Sequence, residues 1–539
     1  MPALLAMLLG LPSHATAQEI TQVAQWTMLQ LDLTSSRDYA DPLWDATVQT
    51  TFVSPSGRES TIEGFWDGGR QWRVRFSPDE VGTWAWQTSE VRGDAGLSRQ
   101  SGRFHCVPYE GDSPPYVHGA LTVSEDRTHL QHADGTPFLW LADTAWNGVL
   151  RAEGADWNRY LATRRGQGFT AVQFVSTQWR GLVADGVGEK AYEGEDRPQV
   201  NPAFFRRLDA KVAAVNEAGL VAAPVILWAI GRGDPGHDLS EEAAARLARY
   251  IVARWGAHQV VWFLGGDGNY RGERAERWRR IGRAVFAERH DRLVTMHPGG
   301  QMWVGDEFRN EPWFDFLGYQ SGHGDSEAHL RWLVQGPPAS DWRTGPRLPV
   351  INLEPNYETI RSYHSKRAFT DREVRRAAYW SLLLSPTAGV SYGHNSIWVW
   401  PGEPQVPDGH GGIGVVAPWH EGLDTPGTRS MAILAGLFTG LPWWTLRPAQ
   451  ELLATQPGEA DPRKFIAAAR GQSGDLAVVY VPDGGPVSLQ TDHLKRPAKM
   501  EWFDPHSGQA EPIGPLPEGP VRLEVAAGAD RVLVVRAEG

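Results

Sequence analysis

A single cysteine stands in the 539 residues of this chain, which excludes an internal disulfide framework and any cysteine-rich metal site. Cys106 reads instead as a packed small hydrophobe. Long apolar runs are equally scarce: beyond the N-terminus nothing approaches the roughly 18 uninterrupted apolar residues of a membrane span. Basic charge is also in deficit. The 52 lysines and arginines against 64 acidic residues leave a net charge of −12, which argues against a nucleic-acid partner. Nucleotide signatures are missing too, since no G-x-G-x-x-G turn follows a strand and nothing resembles a phosphate loop. Neither H-x-H nor H-E-x-x-H spacing supports a metal centre, and no G-x-S-x-G elbow supports a serine nucleophile. No cofactor is expected.

What is abundant is tryptophan, with 25 copies. Its flat apolar face and edge donor suit stacking on sugar rings, and serve core packing equally well. At the N-terminus a brief apolar run is followed by Ala15-Thr16-Ala17 before Gln18, an A-x-A pattern that reads as a signal peptide over residues 1–17. No lysine or arginine precedes that run. Export makes the expected location secreted or periplasmic.

Residues 18–107 carry short alternating runs such as Gln71-Trp72-Arg73-Val74-Arg75-Phe76, separated by turn residues. Period-two alternation at this spacing predicts a small antiparallel β-sandwich. A Pro- and Gly-rich linker follows over 108–118. From 441 to 539 short strands between Gly, Pro and Asp turns predict a second small β-sandwich.

Between them, over 119–440, buried-strand signals alternate with amphipathic helices. The strands begin at Pro137 and are centred on Val172, Val225, Phe263, Thr295, Leu317, Ile351 and Val390. Asn201-Pro202 predicts a capped helix start, Gly219 a helix stop, and Thr370-Asp371-Arg372-Glu373 a capping box. The segment from about Arg271 to Arg289 predicts a charged helix. Eight such strands interleaved with helices describe a (β/α)8 barrel within an α/β fold; an open doubly wound sheet is the alternative.

Barrels place their chemistry at the carboxyl ends of strands. Those ends carry Asp143, Gln173, Trp228, Asp267, His297, Gln320, Glu354 and His394. Asp267 and Glu354 each follow a strongly apolar strand directly, the fourth and the seventh. Glycoside hydrolysis needs one carboxyl to protonate the leaving oxygen and a second carboxylate to attack or to activate water. A fourth-strand acid facing a seventh-strand nucleophile resembles the arrangement of the large superfamily of retaining barrel glycosidases, and by that analogy we expect Asp267 as general acid/base, protonated when substrate binds, and Glu354 as nucleophile. The alternative is structural: Asp267 capping the turn and Glu354 paired with an arginine. Asp143, Gln173, His297, Gln320, His323 and His394 are expected to contact substrate hydroxyls; for Asp143 an arginine partner is the competing reading. Trp146, Trp179, Trp228, Tyr357 and Trp398 are candidates for sugar stacking, with plain packing the alternative for each. The histidines with Asp143 and Asp267 also admit a metal-dependent hydrolase, without spacing to support it.

Phe138-Leu139-Trp140-Leu141-Ala142-Asp143-Thr144-Ala145-Trp146, the run from Gln167 to Gln173, Leu264-Gly265-Gly266-Asp267 and Asn352-Leu353-Glu354-Pro355 together resemble the apiosidase-like glycoside hydrolases. The N-terminal segment resembles the small β domain that precedes that barrel. The C-terminal segment, with Trp502-Phe503-Asp504-Pro505, resembles the module that carries a collagen-binding label. The resemblance implies that Asp267 and Glu354 are the catalytic pair and that an oligo- or polysaccharide is the substrate. It further implies cleavage of apiose or another branch sugar from a plant cell-wall glycan. Gly266-Asp267 stands where an Asn-Glu pair is usual in the wider barrel superfamily. Aspartate reaches one methylene less far, so the distance between the carboxyls decides retention or inversion. A non-catalytic carbohydrate-binding or surface-attachment protein is the rival class.

Overall fold

The computed structural model describes residues 21–286 and 291–538, so residues 1–17, expected to be a signal peptide, lie outside the described residues. Eight parallel strands make the central sheet: β1 (Trp140–Thr144), β2 (Ala171–Val175), β3 (Val221–Leu227), β4 (Trp262–Gly265), β5 (Val294–Thr295), β6 (Leu317–Gln320), β7 (Val350–Glu354) and β8 (Gly389–Tyr392). All of their residues are buried, as strands covered on both faces must be, and this explains the absence of alternation in their sequences. The sheet order runs 5-4-3-2-1-8-7-6, that of a barrel open only between β5 and β6. At that seam a side chain substitutes for ladder bonds. Thr295 Oγ1 donates to Phe316 O at 2.7 Å and accepts from Gly318 N at 3.1 Å. A Cβ on Gly318 would lie 2.6 Å from Met296 O, so only glycine lets the two backbones meet there. The barrel is nearly closed.

The longer outer helices are α1 (Gly154–Gly166), α2 (Pro202–Glu217), α3 (Glu241–Trp255), α4 (Glu273–Phe286), α5 (Glu327–Gln335), α6 (Asp371–Leu383) and α7 (Pro426–Thr439). Their starts are written locally. Asn201 accepts from Ala203 N and Phe204 N, Ser240 accepts from Ala243 N, and Thr370 with Glu373 forms the expected capping box. Gly219 takes a positive φ of 82° just beyond α2, which glycine adopts without steric cost. Between β5 and β6 the only helix is the single turn Gly305–Phe308, in a stretch too rich in Gly and Pro to sustain a helical period.

One boundary differs from expectation. Pro137–Phe138 belongs not to the first barrel strand but to a three-stranded sheet with Leu130–His132 and Leu121–Val123. Proline has no N–H for a central ladder and suits that edge position.

Upstream of the barrel, a five-stranded and a three-stranded sheet enclose a core of Phe52, Trp72, Phe76, Trp84, Phe104 and Cys106. Burial pushes the Cys106 thiol up to about 11, which leaves it an inert packing group. The segment 108–118 is tied down, since Ser113 Oγ donates to Asn216 O at the end of α2 at 2.6 Å. Downstream, a six-stranded sheet packs directly on α6, where Tyr379 stacks on Tyr480 at 4.6 Å.

Candidate active site

β4 ends in two glycines because the space beside them is full. A Cβ on Gly266 would meet the Trp228 ring at 2.5 Å, and one on Gly265 would meet the Tyr270 hydroxyl at 2.4 Å. The chain can therefore turn tightly at the barrel mouth and present Asp267, which is only half buried. Gln320, at the end of β6, donates its Nε2 to Asp267 Oδ1 at 3.0 Å.

Glu354, the last residue of β7, is 6% exposed. Its Oε1 pairs with His323 Nε2 at 2.9 Å, while Oε2 faces His297 Nε2 at 3.4 Å. The other nitrogen of His297, Nδ1, lies 3.5 Å from Asp267 Oδ1. This imidazole is wholly buried, packed edge to face on Trp146 at 5.2 Å between ring centroids. One polar atom from each of Asp267, His297 and Glu354 lies within 4.8 Å of the others. That spacing would admit a single ion. However, the ring turns a different nitrogen to each carboxylate, which is the geometry of a bridge and not of a chelate.

Burial works against charge on Glu354, but the His323 hydrogen bond, the charges of His323 and His297 and the Tyr357 hydroxyl outweigh it. They hold the carboxyl below its ordinary range. Burial likewise works against charge on His297, and the adjoining Asp267 and Glu354 overcome it, raising the imidazole above its ordinary value. A carboxylate kept ionised opposite a second, more accessible carboxyl is the equipment for nucleophile and acid/base.

The aromatic candidates gather around this pair, largely as a packed wall. Trp228 lies 4.6 Å from Trp179 and 5.2 Å from Trp146, and Trp398 contacts His410 at 5.0 Å. Trp179 and Trp398 spend their indole N–H groups on Asn147 and Asn395. Trp228 Nε1 is buried without a protein partner among the described residues and retains capacity for a ligand, whereas the Tyr357 hydroxyl leans on Glu354.

Three expected substrate contacts are corrected. Asp143 is fully buried, 2.5 Å from Arg164 Nε and 2.8 Å from the Tyr160 hydroxyl, so the arginine-partner reading holds. Gln173 is consumed inside the barrel, donating to Thr144 Oγ1 and Leu353 O and accepting from Ser391 Oγ. His394 caps a short helix by accepting from Ser396 N, and burial takes it down to about 4. Strand-end position alone did not separate these from Asp267, because it fixes neither facing nor partners.

Sequence reasoning missed His410, which packs against Trp179 and Trp398 from a loop without periodicity. It also missed a cavity of about 480 Å³ bordered by Gly268, the residue after Asp267, and lined by His237, Asn269, Arg274, Arg277 and Trp278. The basic pair three residues apart on α4, directly after the acid, was a legible signal for that cavity.

Residues 124–445, more than half of the chain, match the family model described as the apiosidase-like catalytic domain. The chain belongs to the apiosidase-like family. Two further models match this apiosidase-like hydrolase: a domain of unknown function over 22–90 and a domain named for collagen binding in a collagenase over 447–536. Among solved structures it is similar to a glycoside hydrolase at 26% identity and TM-score 0.68, covering 79% of this chain and 98% of that one. A family 5 glycoside hydrolase from Bacteroides vulgatus, 24% identical, shares the fold with TM-score 0.68 over 78% of this chain and 94% of its own. No curated protein matches. The apiosidase-like chain is a glycoside hydrolase, and its barrel brings together Asp267 and Glu354, with His297, Gln320 and His323 around them.

Proposed function

We propose that this glycoside hydrolase is exported and cleaves a branch sugar, apiose or a similar residue, from a pectic plant cell-wall glycan, with retention of configuration. Asp267 acts as general acid/base and Glu354 as nucleophile. The observation that carries this reading is the convergence of the two carboxylates from β4 and β7, with one oxygen of each no more than 4.8 Å from the other. Retaining pairs are spaced at about 5–5.5 Å and inverting pairs at about 6.5–9.5 Å, so the shorter class is favoured. In the first step Asp267 gives its proton to the glycosidic oxygen while Glu354 forms an ester to the anomeric carbon. In the second, Asp267 takes a proton from water, whose oxygen displaces Glu354.

The pectic assignment is supported by charge. In a chain of net charge −12, the cavity bordered by Gly268 is lined by Arg274, a group suited to a uronate carboxylate. Export rests on the A-x-A pattern of Ala15-Thr16-Ala17. The flanking paired sheets are read as sandwiches that brace the barrel or extend its sugar contacts.

The test is reducing-sugar release from rhamnogalacturonan-type and homogalacturonan oligosaccharides, with NMR of the first-formed anomer. Glu354→Gln and Asp267→Asn are each expected to lose at least roughly 10²-fold in kcat while staying folded. Near-normal turnover in either ends the assignment, and a first product of inverted configuration ends the retaining mechanism.

A further inference from the structure

His297 is the residue in this site whose surroundings ask for more than substrate binding. It is wholly buried, and neither ring nitrogen makes a hydrogen bond of normal length among the described residues; nor does the Glu354 oxygen that it faces. Unpaired buried polar atoms are costly and collect where function requires them. Here each nitrogen has one acceptor: Nδ1 faces Asp267 Oδ1 at 3.5 Å and Nε2 faces Glu354 Oε2 at 3.4 Å. A neutral imidazole donates from one nitrogen only and would turn a lone pair toward a carboxylate oxygen on its other side. The cation donates from both. Trp146, Trp228 and Phe263 close the rest of the ring surface and carry no charge.

We propose that His297 is a positioning residue, an imidazolium set between the two carboxylates that follows the negative charge from Glu354 to Asp267 as the glycosidic bond breaks.

This rests on the two-carboxylate reading above. Before reaction the charge is on Glu354 and the proton on Asp267. When the proton passes to the leaving oxygen and Glu354 becomes an ester, the single negative charge has moved to Asp267. His297 keeps its own proton throughout and stays within reach of whichever carboxylate is charged, so the site needs no incoming counter-ion in either step. Gln320 already donates to the same Asp267 oxygen that His297 faces, Oδ1, and no protein hydrogen bond among the described residues engages Oδ2, which is left for the glycosidic oxygen. The other titratable groups nearby act on the carboxylates: His323 and Tyr357 on Glu354, with Tyr363 and His410 within electrostatic reach of both acids. The raised affinity of His297 for its proton agrees with the geometry.

Two measurements test this. In the first, the intact wild-type protein carrying ¹³C-labelled histidine is titrated by NMR without substrate, and the His297 signal is assigned by its loss in His297→Asn or, should that variant not fold, His297→Gln. Titration above the ordinary histidine value of about 6.5 is expected; titration below it overturns the proposal. In the second, kcat and KM are followed from pH 4 to 9 on the rhamnogalacturonan-type oligosaccharides that the wild type cleaves. His297→Asn and His297→Gln are expected to lose roughly 10²-fold in kcat with KM little changed. Their pH–rate profile is expected to differ from that of the wild type in its alkaline limb, because the cation set between the two carboxylates is gone. A merely structural histidine would lower activity without moving that limb, and an unmoved limb refutes the assignment. Should the wild type release sugar from no fraction, the two-carboxylate reading fails and takes the proposal with it. A low His297 titration in an active enzyme sinks the proposal alone.

Discussion

Replacing Asp143 by asparagine separates a carboxylate that holds the barrel together from one that binds sugar. The side chains of Asp143 and Arg164 are both 0% exposed. Arg164 also donates to Gln167 Oε1 at 2.7 Å, Leu423 O at 2.8 Å and Gly422 O at 2.9 Å. The guanidinium thus ties the helix α1 to the chain leading into α7, and Asp143 is its carboxylate partner. Asparagine preserves volume and can still accept from Tyr160, so no cavity cost is expected. What is lost is the charge opposite a buried cation. Breaking such a pair from one side costs about 3–5 kcal/mol, or about two to three and a half decades in the folding equilibrium. Urea unfolding followed by tryptophan fluorescence should show the midpoint falling accordingly, with KM for whatever glycan is cleaved little changed. The pair Asp143→Asn with Arg164→Met should recover part of the loss, since both charges are then gone. An unchanged midpoint together with a several-fold higher KM would return Asp143 to the substrate and refute the reasoning.

Three further outcomes follow from the site and its surroundings. His323→Ala removes the hydrogen bond that helps hold Glu354 below its ordinary range, so the acid limb of kcat/KM should move to higher pH in a pH–rate profile. Arg274→Ala should raise KM on de-esterified pectic oligosaccharides by several-fold and leave methyl-esterified ones nearly unaffected, as read from initial rates on both. His258 and His394 are each taken down to about 4 by burial. Below pH 6.5 the unfolded chain therefore binds protons that the folded chain refuses. Stability should fall between pH 6.5 and 4, by roughly 3 kcal/mol per histidine. His394→Asn, which keeps a good helix cap, should flatten part of that loss in melts at pH 5.

Much of the barrel was legible because its signals are local. The apolar runs around Val225 and Phe263, the cap at Asn201 and the box at Thr370 each state an element within a few residues, and the structure places strands and helices there. The pairing of Asp267 with Glu354 was legible for a different reason: strand number fixes angular position in a barrel, so two strand-end carboxylates can be compared without coordinates. What lay out of reach were the relations that depend on facing. Asp143, Gln173 and His394 sit at strand ends like Asp267 and Glu354, yet their partners are Arg164, Ser391 and Ser396, up to 218 residues away in the chain. Nor does sequence spacing reveal that His297 turns one nitrogen to each acid, since ring orientation is set by Trp146 and Trp228 from two other strands.

Distance in the chain matters again where the N-terminal sheets meet the barrel, and there it makes a prediction about cooperativity. Asp67, with a side chain 2% exposed, faces Arg73 of its own segment at 2.6 Å, Arg254 of α3 at 2.9 Å and Arg206 of α2 at 3.7 Å. Arg75 crosses the same boundary in return, reaching Asp209 at 2.7 Å and Arg254 O at 2.9 Å. Phe65 lies under Arg254 at 4.7 Å and packs in the barrel's own apolar core. Surface ion pairs would contribute little here, but these are largely withdrawn from water, so their partners cannot be rehydrated without opening the interface. Asp67→Ala leaves Arg254 with Asp209 as its remaining carboxylate among the described residues and should cost about 3–5 kcal/mol. Because the charges are shared, that loss should fall on both parts at once, seen in calorimetry as one endotherm moved to lower temperature. A barrel expressed without residues 21–107 should melt lower still or aggregate, having exposed Arg254 and the apolar surface under Phe65. Two separate endotherms, with only the smaller one moved by Asp67→Ala, would mean that the N-terminal sheets are an independent appendage.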